Sequence, residues 1–254
     1  MNEKSRAVTL DELRDIPCPE PTETWCPIPH AVAVDHFIAA VIRSKNYGQF
    51  HEHLTVSGDG SQCFATFDLC VDILDGVTVA AGLRNSTDQS LALGVCVGER
   101  VIVCDNLAFA GEFAVFRRHT KGILDDLPGR MNEAVAYLER YAKDRRPMIE
   151  WMQWRGISDE RAHDLFIKAI DADAMKTRDL AEALASWRAG QPVWPVENET
   201  PHPFAARNLW SWYNAVTAAS RQHFDRYAMA AADRTLNLNR MLSREFAPVS
   251  FHFS

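Results

Sequence analysis

The sequence lacks the features that would place the chain in a membrane, in a secreted compartment or around a structural metal. No apolar run approaches the roughly 20 residues that a membrane-spanning helix needs, and the N-terminal stretch has charges of both signs where a signal peptide would have an apolar core. The six cysteines include no CxxC pair and no paired metal-ligand spacing. We therefore expect a cytoplasmic protein with reduced thiols, without a membrane partner, a metal or a cofactor. The cysteines are Cys18, Cys26, Cys63, Cys70, Cys96 and Cys104, and the last four lie in apolar runs typical of buried strands.

The sequence also has no excess of positive charge. With 27 Lys and Arg against 34 Asp and Glu, the formal net charge at pH 7 is −7. This balance argues against a protein that coats nucleic acid through bulk charge. A local basic surface is compatible with it, because six arginines face only two aspartates and one glutamate after Pro203. Nucleic-acid binding has to be argued from the distribution of these arginines.

The 254 residues are sufficient for a large core without disulfides, and they contain no internal repeat. The central stretch Ala80–Phe116 alternates apolar runs with polar clusters at Arg84–Asp88, Gly98–Arg100 and Cys104–Asn106. The apolar runs are typical of buried strands. Because loops at the ends of a rigid sheet often carry binding groups, we expect the polar clusters to hold the site.

The strand pattern predicts an antiparallel β-meander of five or six strands. Turn sequences at Gly58–Gly60, Asp75-Gly76 and Gly98-Glu99 are too short for parallel crossovers. The predicted strands are Phe50–Val56, Cys63–Ile73, Val77–Leu83, Leu91–Val97, Val101–Cys104 and, as a sixth, Phe113–Arg117.

Helical signals flank this meander. Thr9 and Glu12 have the spacing of a capping box, and apolar residues recur at helical spacing over His30–Lys45. An apolar stripe from Leu127 to Met152 continues across Pro147, which predicts either one kinked long helix or two abutting helices. Ser158 and Thr177 can cap two further helices. A last helical region spans Ala205–Phe246. We predict an α+β fold with an N-terminal helix and proline-rich connection (1–29), an α+β core (30–190), and a linker with a C-terminal helical region (191–254).

Five stretches carry a resemblance to a known family. They are Pro27–His30, Gly82–Ser90, Arg100–Phe109, Arg118–Thr120 and Trp210–Thr217. In these stretches the chain resembles the phage- and plasmid-associated "domain of unknown function 932" family. The resemblance implies a mobile-element setting, and the family name assigns no chemistry. One departure is Thr87, where the family pattern often has histidine.

The polar strand ends form the first candidate site. We predict that the loops Arg84–Asp88 and Cys104–Asn106 lie side by side and bind a phosphate or another polar ligand. The predicted ligand-binding residues are Arg84, Asn85, Ser86, Asp88, Arg100, Asp105 and Asn106. The alternative is a structural turn with an Arg84–Asp105 ion pair.

Two further arrangements of residues are compatible with catalysis, a metal site and a nucleophile–base pair. His51 and His53 share one face of a strand and would need Asp88 or Asp105 as a third metal ligand. Cys104 and His119 are a conceivable nucleophile and base, although a thiol in an apolar strand is usually part of the core. The catalytic residues are thus unknown from the sequence.

An aromatic and arginine-bearing helix is the last candidate. Trp210 and Tyr213, near Arg207, are suited to stacking on unpaired bases, with core packing as the alternative. Together with Arg84 they form our predicted nucleic-acid surface.

These patterns lead to three functional hypotheses. A meander followed by a long helix also resembles the single-strand annealing proteins of phage recombination, an analogy of fold only. Our leading hypothesis is therefore binding or annealing of single-stranded DNA. The alternatives are a protein-binding inhibitor of a host defence or restriction system and a metal-dependent hydrolase. Homo-oligomers are compatible with each of them.

Overall fold

A six-stranded antiparallel sheet, in which neighbouring strands follow in chain order, forms the centre of the fold. The computed structural model describes residues 5–101, 106–114, 122–189, 207–220 and 224–246. The strands are β1 (Arg6–Val8), β2 (His51–Val56), β3 (Gln62–Leu74), β4 (Val77–Ser86), β5 (Gly94–Val101) and β6 (Asn106–Ala114). The helices are α1 (Leu10–Arg14), α2 (His30–Ser44), α3 (Ile123–Trp154), α4 (Asp159–Asp171), α5 (Leu180–Ala189), α6 (Leu209–Ser220) and α7 (Phe224–Glu245). The predicted α+β meander with C-terminal helices is confirmed.

The helix starts follow the capping chemistry of the sequence. The Thr9 hydroxyl accepts a hydrogen bond from the backbone N–H of Glu12, whose side chain accepts from the Thr9 backbone, so the capping box is present. The Ser158 hydroxyl accepts from the backbone N–H of Arg161 at the start of α4. The stripe across Pro147 belongs to one continuous helix, α3. Within the described ranges, no helix combines the length and hydropathy needed to cross a membrane.

The predicted strand break at Gly98-Glu99 is wrong, because β5 runs straight through both residues. The cause is a close approach to the neighbouring strand. A Cβ added at Gly98 would lie 1.9 Å from the carbonyl oxygen of Ala108 on β6, so only glycine fits in the strand at this position. The chain reverses later, between Val101 and Asn106. The sequence also did not indicate β1, which pairs Arg6 with Val56.

The two faces of the sheet pack against different helices. On one face, Val79, Ala81 and Leu83 of β4 belong to the main core with residues of α2 and α3. On the other face, Phe64, Cys96 and Phe109 pack against Ala232 and Leu236 of α7. Residues from all three predicted segments, including Leu13 and Trp210, belong to the main core. The segment boundaries themselves stay a prediction.

Helix α7 also covers the edge of the sheet at β6. The backbone N–H of Phe109 donates to the Thr235 hydroxyl at 2.8 Å, and the Asn239 amide donates to the Phe109 carbonyl at 3.1 Å. Thr235 and Asn239 are one helical turn apart, so one helix face satisfies both backbone groups. An unpaired edge strand can recruit other chains, and α7 prevents this at Phe109.

Substitution of Gly98 tests the close approach of β5 and β6. Gly98→Ala should lower the free energy of unfolding by about 3 kcal/mol, because its methyl group would overlap backbone atoms that cannot rotate away. Gly129→Ala is the matched control, since its added Cβ has no atom within 4 Å in helix α3. The control should raise stability by up to about 1 kcal/mol through helix propensity. Urea unfolding measures both changes, and an equal effect of the two variants would contradict this packing.

Candidate functional site

The predicted loop from Arg84 to Asp88 begins as the last residues of β4. The amide nitrogen of Asn85 and the hydroxyl of Ser86 have structural partners, whereas the buried amide oxygen of Asn85 has none among the described residues. Asn85 is buried, and its Nδ2 donates to the carbonyl of Ile28 at 2.8 Å and lies 2.9 Å from Nδ1 of His30. The Nε2 of buried His30 lies 3.0 Å from the carbonyl of Gly60. Asn85 therefore connects the Pro27–His30 stretch to the sheet, so two of the stretches that carry the family resemblance meet in one buried contact.

The rest of this loop is a hydrogen-bonded turn. The Ser86 hydroxyl lies 3.0 Å from both the backbone nitrogen and the carbonyl oxygen of Leu91. The Asp88 carboxylate accepts from the backbone N–H and the hydroxyl of Ser90. Partial burial opposes ionisation of Asp88, but these hydrogen bonds outweigh it and lower the pKa. The turn alternative accounts for Ser86 and Asp88, whereas Asn85 bonds to the distant Pro27–His30 stretch.

Arg84 does not share a site with Asn85. Successive side chains of a strand point to opposite faces, and Arg84 lies on the face covered by α7, with its Nη1 4.0 Å from Asp233. Its neighbour Asn85 points to the main core. The predicted cradle would need both groups on one side.

Asn106, the described residue of the predicted loop Cys104–Asn106, lies at the opposite end of the sheet from Arg84, so the prediction that the two loops lie side by side is wrong for this residue. Arg84 pairs with Gly94 at one end of β5, whereas Val101 at the other end pairs with Asn106. The reason is the false break at Gly98, which added one chain reversal and so moved the next loop to the wrong end. Cys104 and Asp105 lie outside the described residues. Arg100 of β5 forms a partly exposed ion pair with Asp68, in which Nη1 of Arg100 lies 3.5 Å from the carboxylate.

The histidine pair of β2 lacks a third ligand of the predicted kind. His51 and His53 are exposed and lie opposite Asp68 and Thr66 of β3. Asp88 contacts Ser61 near the other end of that strand pair. Among the described residues, no group of three His, Cys, Asp or Glu side chains is arranged to bind a metal ion. Asp105 and His119 lie outside the described ranges.

The described cysteines, Cys18, Cys26, Cys63, Cys70 and Cys96, are all free thiols. Burial raises the pKa of Cys63 to about 12, so this thiol is unreactive in the folded protein. Cys70 is exposed, and the prediction that it is buried is wrong. An irregular pairing between Asp68 and Asp72 places Cys70 at a φ of 51°, away from the core.

The aromatic residues of α6 pack inside the protein. Trp210 and Tyr213 are 0% and 1% exposed and stack on each other with ring centroids 5.3 Å apart. The prediction that they stack on bases is therefore wrong. Their helical spacing places both on the face of α6 that packs against the core.

Tyr213 instead belongs to a buried polar network that the sequence did not indicate. Arg145 of α3 forms an ion pair with Glu99 of β5, and its Nε lies 3.1 Å from Glu99 Oε2. The hydroxyls of Tyr141 and Tyr213 both donate to the Glu99 carboxylate. The Asn239 amide donates to the Tyr213 hydroxyl at 3.1 Å.

Burial sets the chemistry of this network. Desolvation, together with the negative charge of Glu99, raises the pKa of Tyr213 and of Tyr141, so both phenols stay protonated. Arg145 is 0% exposed and Glu99 is 1% exposed. A substrate therefore does not reach these groups, and the network is structural. The available signal in the sequence was a glutamate within a strand-like run and an arginine within the apolar stripe of α3.

An accessible aromatic group lies elsewhere, at the end of α3. Trp154 is 86% exposed, the largest value among the exposed large hydrophobic residues that the structure describes. The next residue, Arg155, is also exposed and forms no ion pair within the described ranges. Trp154 and Arg155 are therefore both accessible to a partner from solution.

Backbone pairing brings Arg207 to the same place. The carbonyl of Arg155 accepts from the N–H of Leu209 at 2.8 Å, and the carbonyl of Arg207 accepts from the N–H of Ile157 at 3.2 Å. Gly156 and Asn208 form the bridge between these two short segments. We call Trp154, Arg155 and Arg207 the Trp154 surface.

Arg207 is the one residue of our predicted nucleic-acid surface that is exposed beside an aromatic group. Its guanidinium contacts the Asp159 carboxylate, and its Cζ lies 5.9 Å from the ring centroid of Trp187. The hydrogen bond from Trp187, and then the charge of Arg207, lower the pKa of Asp159. These contacts place the Arg207 guanidinium against Asp159 and Trp187.

No protein-family model matches the chain, and neither a curated protein nor a solved structure matches it. The resemblance to the "domain of unknown function 932" family stays a prediction. The function has to be argued from the chain's own geometry.

The Glu99–Arg145 network makes a prediction about stability. Arg145→Met should lower the free energy of unfolding by about 3–5 kcal/mol, because it leaves the buried Glu99 carboxylate without a cation. Adding Glu99→Gln should recover part of this loss, since a neutral amide is easier to bury than an unpaired charge. Urea unfolding of the three proteins measures the effect. A double variant less stable than the Arg145→Met variant would contradict a coupled ion pair.

Proposed function

We propose that the protein binds single-stranded nucleic acid at the Trp154 surface. The observation that carries the proposal is the 86% exposure of Trp154 next to exposed Arg155. Backbone hydrogen bonds hold exposed Arg207 near the same helix end. Proteins that bind single strands combine an aromatic ring, on which a base stacks, with cations that contact phosphates. Trp154 supplies the ring, and Arg155 and Arg207 supply the cations.

This surface replaces the one that the sequence indicated. Trp210 and Tyr213 are buried, whereas Arg207 keeps its predicted role with a different aromatic partner. Arg84 lies near Asp233 on the face covered by α7 and is not part of the Trp154 surface. The net charge of −7 is compatible with a local site, since Arg155 is not neutralised by a described carboxylate. In the mobile-element setting that the resemblance implies, the function is the binding or annealing of single-stranded DNA.

Substitution of Trp154 tests the stacking role. Trp154→Ala should weaken binding of a labelled single-stranded oligonucleotide by about tenfold, because stacking on an aromatic ring contributes roughly 1–3 kcal/mol per base. Trp154→Phe should keep part of the affinity. Fluorescence anisotropy at low salt measures both, with Ile167→Ala as the control, since Ile167 is 53% exposed on α4. Absence of binding at low salt, or binding that is unchanged in Trp154→Ala, would reject the proposal.

The salt dependence tests the cationic part of the surface. Arg155→Gln should weaken binding and reduce the slope of log affinity against log salt by about 0.7, the value for one phosphate contact on a single strand. Arg130→Gln makes the same change of charge near the other end of α3, about 38 Å away at 1.5 Å per residue. The same effect in both variants would show a response to net charge alone.

A second candidate function is protein binding, as in an inhibitor of a host defence or restriction system. Tryptophan and arginine are enriched at the centres of protein interfaces, and the net charge of −7 suits a partner with a basic surface. The same variants separate the two functions. Capture of a host protein that is lost in Trp154→Ala, without oligonucleotide binding, would favour this candidate. The metal-dependent hydrolase has no such support, because the described residues contain no three-ligand group.

A further inference from the structure

Asp159 occupies the cationic edge of the Trp154 surface. Nη1 of Arg207 lies 2.6 Å and 2.5 Å from its two carboxylate oxygens. The two side chains are 44% and 48% exposed, so solvent and ligands reach the pair. Asp159 is the first residue of α4, where a carboxylate also interacts favourably with the helix dipole.

A buried indole fixes the position of this carboxylate. Trp187 is 2% exposed, and its Nε1 donates to Oδ1 of Asp159 at 3.0 Å. The guanidinium of Arg207 lies near the face of the same indole ring. Two N–H donors, one from Arg207 and one from Trp187, therefore point at a single anionic oxygen. A phosphate oxygen can accept from the same donors.

We propose that Asp159 is an internal competitor of backbone phosphate for Arg207, an inference that rests on the proposed function. In the free protein the carboxylate binds the guanidinium. When a strand stacks on Trp154, a phosphate of that strand replaces the carboxylate at Arg207. The exchange is feasible because exposed ion pairs are weak. The competition lowers affinity for a single strand whose phosphate has to displace Asp159 from Arg207.

Asp159→Asn tests the competition. The amide oxygen of the asparagine can still accept a hydrogen bond from Trp187. The side chain is neutral, so no negative charge competes with phosphate for Arg207. Affinity for a labelled single-stranded oligonucleotide at low salt should rise about twofold to fivefold, the scale of an exposed ion pair. Asp164→Asn is the matched control, because Asp164 lies on the same helix and contacts Arg161 and Lys168 instead of Arg207.

A double-mutant cycle separates this competition from an effect of net charge. In an Arg207→Gln background, Asp159→Asn should change affinity no more than Asp164→Asn does. An equal rise in the two single aspartate variants, or a rise by Asp159→Asn that persists without Arg207, would overturn the inference.

The outcomes for the inference and for the proposed function are distinct. Binding that depends on Trp154 but is unchanged or weakened in Asp159→Asn would reject the competition alone. Absence of binding by the wild-type protein and by every variant would reject the proposed function, and the competition with it. Thermal unfolding of each variant shows whether the start of α4 is intact.

Discussion

The buried ion pair between Glu99 and Arg145 is the interaction on which the arrangement of the layers depends. Glu99 is the sixth of the eight residues of strand β5, and Arg145 lies in the second half of helix α3. A buried charge requires a partner of opposite sign and further hydrogen bonds, which limits where the helix can lie on the sheet. Tyr141 supplies one of these bonds from the same helix, and Tyr213 supplies another from α6. One carboxylate thus fixes two helices relative to one strand.

The network extends to α7 and from there to the edge of the sheet. Asn239 donates to the hydroxyl of Tyr213 and to the carbonyl of Phe109. Thr235, one turn earlier, accepts from the N–H of Phe109. The helix that covers the second face of the sheet therefore also satisfies its edge strand. The same residues position the helix and keep this part of the edge from recruiting another chain.

The Trp154 surface depends on the same packing. The end of α3 and the start of α6 are separated by more than fifty residues of sequence, and pairing between Arg155 and Leu209 brings them together. The buried network orients α3 and α6, so it also determines where their ends meet. The exposed ring of Trp154, the charge of Arg155, which no described carboxylate neutralises, and the ion pair of Arg207 with Asp159 are then found where the two helix ends meet. A surface with these properties is well suited to a partner that is both aromatic and anionic.

The sequence by itself determined the elements whose signals are local. The capping box at Thr9, the turn at Gly58–Gly60 and the helical stripe that continues across Pro147 were all predictable from neighbouring residues. The antiparallel order followed from the short turns, since no parallel crossover fits between such strands.

Tertiary structure decided the rest, because it depends on residues that are distant in the chain. Gly98 had the appearance of a turn residue, but its lack of a side chain is required by Ala108 on the next strand. Because Gly98 was interpreted as a turn residue, the sequence-based prediction placed Asn106 at the wrong end of the sheet. Periodicity showed that Trp210 and Tyr213 share a helix, but whether their face meets solvent or the core depends on what packs there. Arg207 lies near the end of α3 because a bridge between Gly156 and Asn208 connects segments that are distant in the chain. Local chemistry therefore determines the elements, and packing between distant segments determines which side chains remain accessible for binding.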